Sequence, residues 1–315
     1  MSTLDNSAIS KVLGKTVDYP DQYDPSILVR EPRQSNRDLI EITNDDLPFV
    51  GYDTWNAYEV STLTENGLPV TGTVKIVYPC NSEYIVESKS LKLYLNSFNM
   101  YKCPGWGHRF VVEYLTGIIT RDLRQLLETE VNVVFNDNHK LNTTPIFNLD
   151  DYITLENGRY LSTNWLPLDE VVFDKYTESP ELLELSDGHI PTDCCGSFSI
   201  CQWYHSSLLK SNCRVTSQPD WGDVYIRLKS HHGVDPLSLL KYIISFRDEC
   251  HFHEEICETI YKRLQDVYMP SELCVTCLYT RRGGIDINPT RASSKDLLPC
   301  DLIDSKTPHC KTLKQ

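Results

Sequence analysis

A cysteine, Cys213, stands seven residues before an aspartate, Asp220, in the stretch 211–222. Pro219 and Gly222 suit positions i+1 and i+3 of a type I turn, which predicts a turn with Asp220 at its tip. On one straight strand an odd separation puts two side chains on opposite faces, so only a bend brings thiol and carboxyl together. The pair could be a nucleophile with a nearby proton donor or acceptor. From spacing alone, the non-catalytic interpretation is the commoner one: the cysteine is buried and inert, and the aspartate shapes a turn.

A second cluster, residues 250–257, holds two cysteines, two histidines and two glutamates. His253 and Cys257 are four apart and would share one face of a helix, as metal ligands can. Because the paired Cys-x-x-Cys spacing typical of zinc sites is missing, we predict no metal site. Two other interpretations stay open. His253 and Glu254 could project from a helix start into a pocket, or the cluster could be a solvated helix N-terminus.

Two further stretches could bind phosphate. Glu87-Ser88-Lys89-Ser90 opens a predicted helix, where backbone N–H groups, hydroxyls and the Lys89 ammonium suit an anion. An ordinary capping box would look the same. The basic turn at residues 281–284 could likewise bind phosphate or be a solvated hairpin. Since no strand-linked G-x-G-x-x-G or G-x-x-x-x-G-K-[ST] motif occurs, the residues alone do not require a dinucleotide.

The composition limits the class of protein. The chain has 315 residues, enough for two domains, and a net charge of −14. That charge argues against a nucleic-acid-binding surface, although local basic clusters can still hold a small anion. Because no signal peptide and no run of 18 apolar residues is present, we expect a soluble, cytoplasmic protein. Its 12 cysteines are then expected to be reduced thiols.

Hydrophobic periodicity predicts a compact unit in the first half of the chain. Alternating apolar residues indicate strands, and apolar residues three or four apart indicate helices. The predicted order is strand, strand, helix, helix, strand, at residues 55–63, 71–78, 87–98, 110–127 and 131–135, with a further strand at 145–149. Asn66-Gly67, between the first two strands, is a strong hairpin signal.

The same unit recurs with an offset of 148 residues, which predicts a duplicated α+β module. Five residues match at that offset: Ser90 with Ser238, Leu91 with Leu239, Tyr94 with Tyr242, Ser97 with Ser245, and Phe98 with Phe246. Asp235-Pro236 is expected to cap the first helix of the second copy. The other elements of this copy are predicted at residues 224–228, 252–267, 273–279 and 285–287.

These elements divide the chain into five segments. They are an N-terminal arm (1–45), an N-terminal module (46–150), an irregular connector (151–204), a C-terminal module (205–291) and a polar tail (292–315) that we expect to be mobile. Two modules with antiparallel strands leave open sheet edges, which pairing between chains would cover. We therefore expect a homodimer.

Several of these stretches closely resemble the NADPH-dependent 7-cyano-7-deazaguanine reductases (QueF family), nitrile reductases of queuosine biosynthesis, in their long two-module form. Queuosine is a modified tRNA nucleoside. The matching stretches, in the order that the family has them, are residues 87–90, 92–99, 208–213, 218–222, 252–254 and 279–289. The resemblance spans roughly residues 13–292, apart from the irregular region 150–204.

The resemblance implies a fold and a reaction. The fold would be tandem tunnelling-fold modules, antiparallel sheets with two helices per module, assembled around a tunnel with sites at module interfaces. The reaction would turn the nitrile into the primary amine of 7-aminomethyl-7-deazaguanine, with two NADPH. Cys213 would match the nucleophile that forms a covalent thioimide, and Asp220 would match the acid/base that protonates the nitrile nitrogen.

The resemblance also implies two sets of binding residues. The substrate-binding positions would be Val86, Glu87, Ser88, Phe252, His253 and Glu254. The NADPH-contacting positions would be Ser88, Lys89, Arg282 and Gly283. Carboxylates are natural acceptors for the amidine-like N–H edge of a deazaguanine, and the cationic side chains suit the phosphates of the cofactor.

Three alternatives stay open. A relative with the same fold could use the cysteine adduct for amidine transfer to a nucleic-acid base. A zinc-dependent, cyclohydrolase-like purine hydrolase could use the cluster at residues 250–257, and a purine-binding protein could have the pocket without catalysis. The chain also departs from the usual family pattern at Thr62, Ser207 and Thr290, none of which is a matched catalytic position.

Overall fold

The structure is a computed structural model that describes residues 22–105, 107–136, 145–157, 159–160, 164–165, 168–186, 200–307, 311–312 and 315. Its strands are β1 (Arg30–Pro32), β2 (Val50–Leu63), β3 (Pro69–Pro79), β4 (Tyr84–Val86), β5 (Asn132–Asn136), β6 (Ile153–Thr154), β7 (Arg159–Tyr160), β8 (Asn164–Trp165), β9 (Ile200–Asn212), β10 (Pro219–Ser230), β11 (Glu272–Tyr279) and β12 (Ile285–Ala292). Its α-helices are α1 (Gln34–Arg37), α2 (Ser88–Asn96), α3 (His108–Leu127), α4 (Pro236–Ser245), α5 (His253–Tyr268) and α6 (Cys300–Ile303).

An eight-stranded sheet in the order β5-β3-β2-β12-β11-β10-β9-β6 forms the centre of the described part of the chain. Its pairings are antiparallel except for the short contact of β6 with β9. β12 pairs with β2 from Ile285 opposite Ala57 to Ala292 opposite Val50. This ladder joins an N-terminal half (β2, β3, β5) to a C-terminal half (β9–β12), so the protein is a mixed α+β structure with mainly antiparallel strands.

Helices α2 and α4 show the same local structure at the predicted offset. Each begins with a carboxylate that accepts hydrogen bonds from two backbone N–H groups of the first turn. Each also carries a tyrosine whose ring meets, edge to face, that of a phenylalanine just beyond the end of the helix, with centroids 5.3 Å apart. The matched residues are Glu87 with Asp235, Tyr94 with Tyr242, and Phe98 with Phe246. Asp235 caps α4 as the sequence predicts.

The strand predicted at residues 145–149 is wrong. These residues form a bend that leads into a short 3-10 helix, Leu149–Asp151. The Asn148 side chain accepts a hydrogen bond from the Asp150 N–H and so starts that turn. Phe147 stacks on Tyr225 at 4.2 Å between ring centroids. The apolar residues of this segment therefore cover the sheet instead of pairing with it.

The tail is packed in its described residues, so the expected mobility is wrong there. The ammonium of Lys75, a buried residue of β3, donates to the carbonyl oxygens of Asp301, Asp304 and Thr307 at 3.2, 2.7 and 2.7 Å. Burial lowers the pKa of Lys75 to about 8. A buried ammonium needs such acceptors, and Leu302 in the same segment of the tail is completely buried. Among the described helices, none combines the length and apolar character needed to cross a membrane.

Five buried charges meet at the junction of the two halves. Arg291 of β12 lies 2.8 Å from Asp53 of β2 and 2.8 Å from Glu258 of α5. Arg37 of α1 lies 2.7 Å from Glu258, and Arg33 pairs with Asp53. All five side chains are at most 3% exposed. Burial alone would raise the pKa of Glu258, but Arg291 and Arg37 lower it to about 2.

We expect Glu258→Gln to lower the free energy of unfolding by about 3–5 kcal/mol, because it leaves buried guanidinium groups without their counter-charge. Urea titration measures this. Glu113→Gln, in the exposed pair with Arg109, is the matched control and should change little.

The Glu258 contribution also has a defined pH dependence. Because the folded-state pKa is depressed, the stabilisation is present above the ordinary value of 4.5 and is lost as the pH falls toward 2. On acidification, the wild type should lose the contribution of Glu258 to the free energy of unfolding, whereas Glu258→Gln has no such contribution to lose. Equal urea midpoints for wild type and variant at neutral pH would contradict the assignment.

Candidate active site

The nucleophile candidate lies in the turn between β9 and β10. The Ser217 N–H donates to the Cys213 carbonyl at 2.9 Å, and the Cys213 N–H donates to Gln218 at 2.8 Å. The turn predicted around Asp220 is therefore wrong: Cys213 is in the turn and Asp220 is in the strand that follows. Pro219 begins β10, a position where its missing N–H costs no ladder hydrogen bond.

The Cys213 thiol is half-buried and activated. Burial alone would raise its pKa. Hydrogen bonds from the Thr216 hydroxyl, the backbone N–H groups of Thr216 and Val215, and the Arg282 guanidinium outweigh burial and lower the pKa of Cys213. Burial raises the pKa of four other described thiols, those of Cys80, Cys103, Cys257 and Cys274. Cys213 is therefore better suited to act as a nucleophile than these four.

Arg282 links the thiol to the carboxyl. Its Nη1 lies 2.7 Å from Oδ1 of Asp220, which is 5% exposed. The other oxygen, Oδ2, lies 3.7 Å from Nε2 of His253. The His253 ring packs on Tyr279 with centroids 3.9 Å apart. The structure thus brings together Cys213, Asp220, His253 and Arg282, four residues that the sequence analysis singled out.

Helix α5 presents a buried carboxyl group to the site. Glu254 is 2% exposed, and its Oε1 has no hydrogen-bond partner in the described residues. Burial, and then the charge of Asp53, raise the pKa of Glu254 to about 8, against the opposing charges of Arg33 and Arg291. A buried polar atom without a partner is unusual in a native structure and is typical of a binding or catalytic position.

The start of α2 contains Glu87, which is 4% exposed. Its carboxylate accepts from the N–H groups of Lys89 and Ser90 at 3.0 and 2.7 Å, so the capping interpretation of this motif is confirmed. A carboxylate has about four lone-pair sites, so two remain for a ligand. Val86, just before it, belongs to β4 and is buried, and Ser88 begins the helix.

The turn between β11 and β12 lies against the N-terminal half. Gly283 has φ +62°, a conformation that favours glycine, and a Cβ there would lie 2.9 Å from Nζ of Lys92 on α2. Arg282 and Gly283 therefore lie beside the helix that carries Lys89. This is the grouping that the resemblance implies for NADPH.

The cluster at residues 250–257 does not converge. His253 faces Asp220, whereas the buried thiol of Cys257 contacts the carbonyl oxygens of Val275 and Pro289 at 3.5 and 3.6 Å. Within the described ranges, no group of three or more His, Cys, Asp or Glu side chains is placed to hold a metal ion.

Sequence reasoning missed three contributors to the site. No spacing signal predicts the hydrogen bonds of Thr216 to Cys213, or the effect of the Arg33 charge on the pKa of Glu254. Asp53 reads as a polar residue before a strand, although it is completely buried. Its role follows from its ion pairs with Arg33 and Arg291. These arginines come from distant segments and meet Asp53 only in the folded chain.

The raised pKa of Glu254 gives a testable stability difference. The unfolded carboxyl ionises near 4.5 and the folded one near 8, so the wild type loses stability as the pH rises through this range. Glu254→Gln lacks that loss, because an amide does not ionise. As the pH rises from 4.5 to 8, the thermal midpoint of the variant should therefore rise relative to that of the wild type. A constant difference, like that expected for the exposed Glu113→Gln, would contradict the assignment.

Comparison with known proteins identifies the family. Residues 19–135 match the family model described as "Nitrile reductase, 7-cyano-7-deazaguanine-reductase N-term", and residues 219–297 match "QueF-like protein". A solved structure, the archaeosine synthase QueF-Like in the apo form, matches 30% of this chain and 93% of its own at 15% identity, with a TM-score of 0.27.

Curated relatives match over nearly the whole chain. The NADPH-dependent 7-cyano-7-deazaguanine reductase of Colwellia psychrerythraea is 36% identical over 289 residues, 91% of this chain and 93% of its own. That of Psychrobacter cryohalolentis is 37% identical over 297 residues, 93% of this chain and 97% of its own. With its thiol, buried carboxyls and basic turn in the positions described above, the chain belongs to the 7-cyano-7-deazaguanine reductase family of nitrile reductases.

Proposed function

We propose that this chain reduces the nitrile of 7-cyano-7-deazaguanine to the aminomethyl group with NADPH, as a step in queuosine biosynthesis. The names of the curated relatives support the substrate and the cofactor. The observation that carries the chemistry is the activated, half-buried thiol of Cys213, linked through Arg282 to the buried carboxyl of Asp220.

The first step is addition to the nitrile. The Cys213 thiolate forms a bond to the nitrile carbon, one π bond of the C≡N group breaks, and the nitrogen takes a proton from Asp220, which gives a thioimide. Arg282, 2.7 Å from that carboxyl group, stabilises the carboxylate left behind. His253, 3.7 Å away, is placed to help return a proton to Asp220.

NADPH supplies two hydrides, one for each of two reductions. The cations Lys89 and Arg282 and the glycine at 283, where backbone can approach closely, fit a phosphate-bearing cofactor. Between the reductions, Cys213 leaves as a thiolate and the substrate is an imine. Asp220 supplies the second proton that the amine nitrogen needs. The buried surroundings of Asp220 and Glu254 would keep water from hydrolysing the imine.

The base edge would be held by Glu254 and Glu87, with Phe252 packing on the ring. Glu254 is largely protonated at neutral pH in the free protein, because its pKa is about 8. An N–H edge donates to the ionised form, so binding would release a proton from Glu254. Its Oε1, which has no partner among the described residues, would thereby gain hydrogen bonds.

The finer architecture is part of this proposal. The matching helices α2 and α4 support tandem tunnelling-fold modules with the five-segment division given above. β5 ends the sheet with an unpaired edge in the described residues, which supports closure by a second copy as a homodimer. We further propose that the protein acts in the cytoplasm, without a metal and without binding nucleic acid directly.

The adduct is the sharpest test of this chemistry. Incubation with 7-cyano-7-deazaguanine and no NADPH should raise the intact mass by one substrate mass, because addition to a nitrile expels nothing. Peptide mapping should place the addition on Cys213, and later NADPH should discharge it as the aminomethyl product. Cys274→Ala, a change at a buried cysteine away from the turn, is the matched control and should still form the adduct.

Cys213→Ala should lose the adduct and the reductase activity but keep non-covalent binding, because other residues hold the base edge. Asp220→Asn should bind the nitrile and form the adduct slowly, because it lacks the group that delivers the proton. Turnover that survives in Cys213→Ala, or an adduct on another cysteine, would overturn the mechanism. Stoichiometric zinc required for activity would instead favour a hydrolase.

A further inference from the structure

The residue after the nucleophile ties its turn to the substrate pocket. Nη1 of Arg214 lies 2.8 Å from Oε1 of Glu255, in the first turn of α5. Its guanidinium carbon also lies 5.6 Å from the ring centroid of Phe252. The Arg214 side chain is 29% exposed and that of Glu255 is 6% exposed, so water screens this ion pair only in part. The contact joins two segments that are far apart in sequence.

Glu255 is a rigid anchor for this contact. Its Oε2 accepts a hydrogen bond from the Phe252 N–H at 2.9 Å, which caps the start of α5. The same oxygen lies 3.2 Å from Nδ1 of His251. The carboxylate that receives Arg214 is thus fixed to the helix that presents His253 and Glu254.

Few contacts other than the Arg214 pair hold the turn in place, and among them Arg282 donates to the Gln218 carbonyl at 3.5 Å. Two backbone hydrogen bonds close it, and Ser217 adopts φ +53°, a left-handed conformation that is unfavourable for a residue with a side chain. Such a turn is expected to relax when an outside contact is removed. Three of the four hydrogen bonds that lower the pKa of Cys213 come from this turn, two from Thr216 and one from Val215.

We propose that Arg214 is a positioning residue that fixes the Cys213 turn against the start of α5, and so sets the approach of the sulfur to the nitrile carbon. The role rests on the function proposed above. Helix α5 would hold the base and the turn would hold the nucleophile, so their relative placement decides how often the reacting atoms meet. Misplacement by about 1 Å can cost a reaction of this kind 100-fold.

The test separates the rate of adduct formation from the affinity for the nitrile. In Arg214→Ala, the single-turnover rate of adduct formation without NADPH should fall about tenfold or more, the scale of a lost hydrogen bond between charged groups. Affinity, measured for the non-covalent complex in the Cys213→Ala background, should change less than about twofold, because the base is held elsewhere. Arg214→Lys should recover part of the rate, since its ammonium can still pair with Glu255.

Glu255→Gln tests the anchor without removing the cap, because a glutamine oxygen can still accept the Phe252 N–H. It should slow adduct formation about as much as Arg214→Ala, and the double variant should be no slower than either one. Arg227→Ala is the matched control. Arg227 pairs with Glu272 at 2.8 Å and lies 5.6 Å from the Trp203 ring, away from the turn, so its removal should leave the rate unchanged.

An unchanged adduct rate in Arg214→Ala would overturn this role. So would an equal loss of affinity and rate, or additive effects of Arg214→Ala and Glu255→Gln. A thermal midpoint for Arg214→Ala close to that of Arg227→Ala would show that the variant is folded. If the wild type forms no adduct, the proposed function fails and this role fails with it, whereas a normal wild-type adduct with normal variants contradicts only the role of Arg214.

Discussion

The buried charge network at the β2–β12 junction is the constraint on which the site depends. Three guanidinium groups, from Arg33, Arg37 and Arg291, face two carboxylates, those of Asp53 and Glu258, with almost no solvent contact. Buried charges are stable only when they are paired with good geometry, because each has lost its hydration. The network therefore requires the arm, both halves of the sheet and α5 to come together in one arrangement.

The same network explains why Glu254 can be buried beside it. Its carboxyl group feels the repulsion of Asp53 and the attraction of Arg33 and Arg291, and burial is the largest influence on its pKa. Because the network contains three cations and only two anions, one further negative charge beside it is electrostatically favourable. A ligand that donates N–H groups would supply the hydrogen bonds that make ionisation favourable. Under the proposed function, stability and ligand binding would thus use the same set of charges.

The proposed chemistry depends on contacts within the C-terminal half and on the approach of that half to the N-terminal half. Arg282, on the turn between β11 and β12, contacts the thiol from one side and the Asp220 carboxyl from the other. The adjacent Gly283 lies against Lys92 of the N-terminal half. The β12–β2 ladder holds that turn in place. Cys213, Asp220 and the basic turn are therefore one unit built on a shared sheet.

Much of the fold could be predicted from the sequence, because its signals are local. The apolar spacing in α2, α3 and α5, and the Asp235 cap, depend on neighbouring residues only. The turn was misplaced because proline and glycine favour turns but proline also begins strands, and local sequence cannot decide between these. The burial of Asp53 was unpredictable, since its partners come from distant segments and charged residues are usually exposed.

The candidate site likewise has residues that could be predicted from the sequence and residues that could not. The resemblance implies one site with Cys213, Asp220, His253, Glu254 and Arg282, and the structure brings Cys213, Asp220, His253 and Arg282 together. The support of the thiol by Thr216, and of its turn by Arg214, could not be predicted. Both depend on the path of the turn after β9, which no periodic pattern describes.

A crystal structure of the protein incubated with 7-cyano-7-deazaguanine, without NADPH, would test the central claim most directly. Continuous density should run from the sulfur of Cys213 to the former nitrile carbon, with the nitrogen in hydrogen-bond reach of Asp220. The N–H edge of the base should lie within hydrogen-bond distance of Glu254 and Glu87. A base bound away from these carboxylates, or bound to a cysteine other than Cys213, would contradict the account.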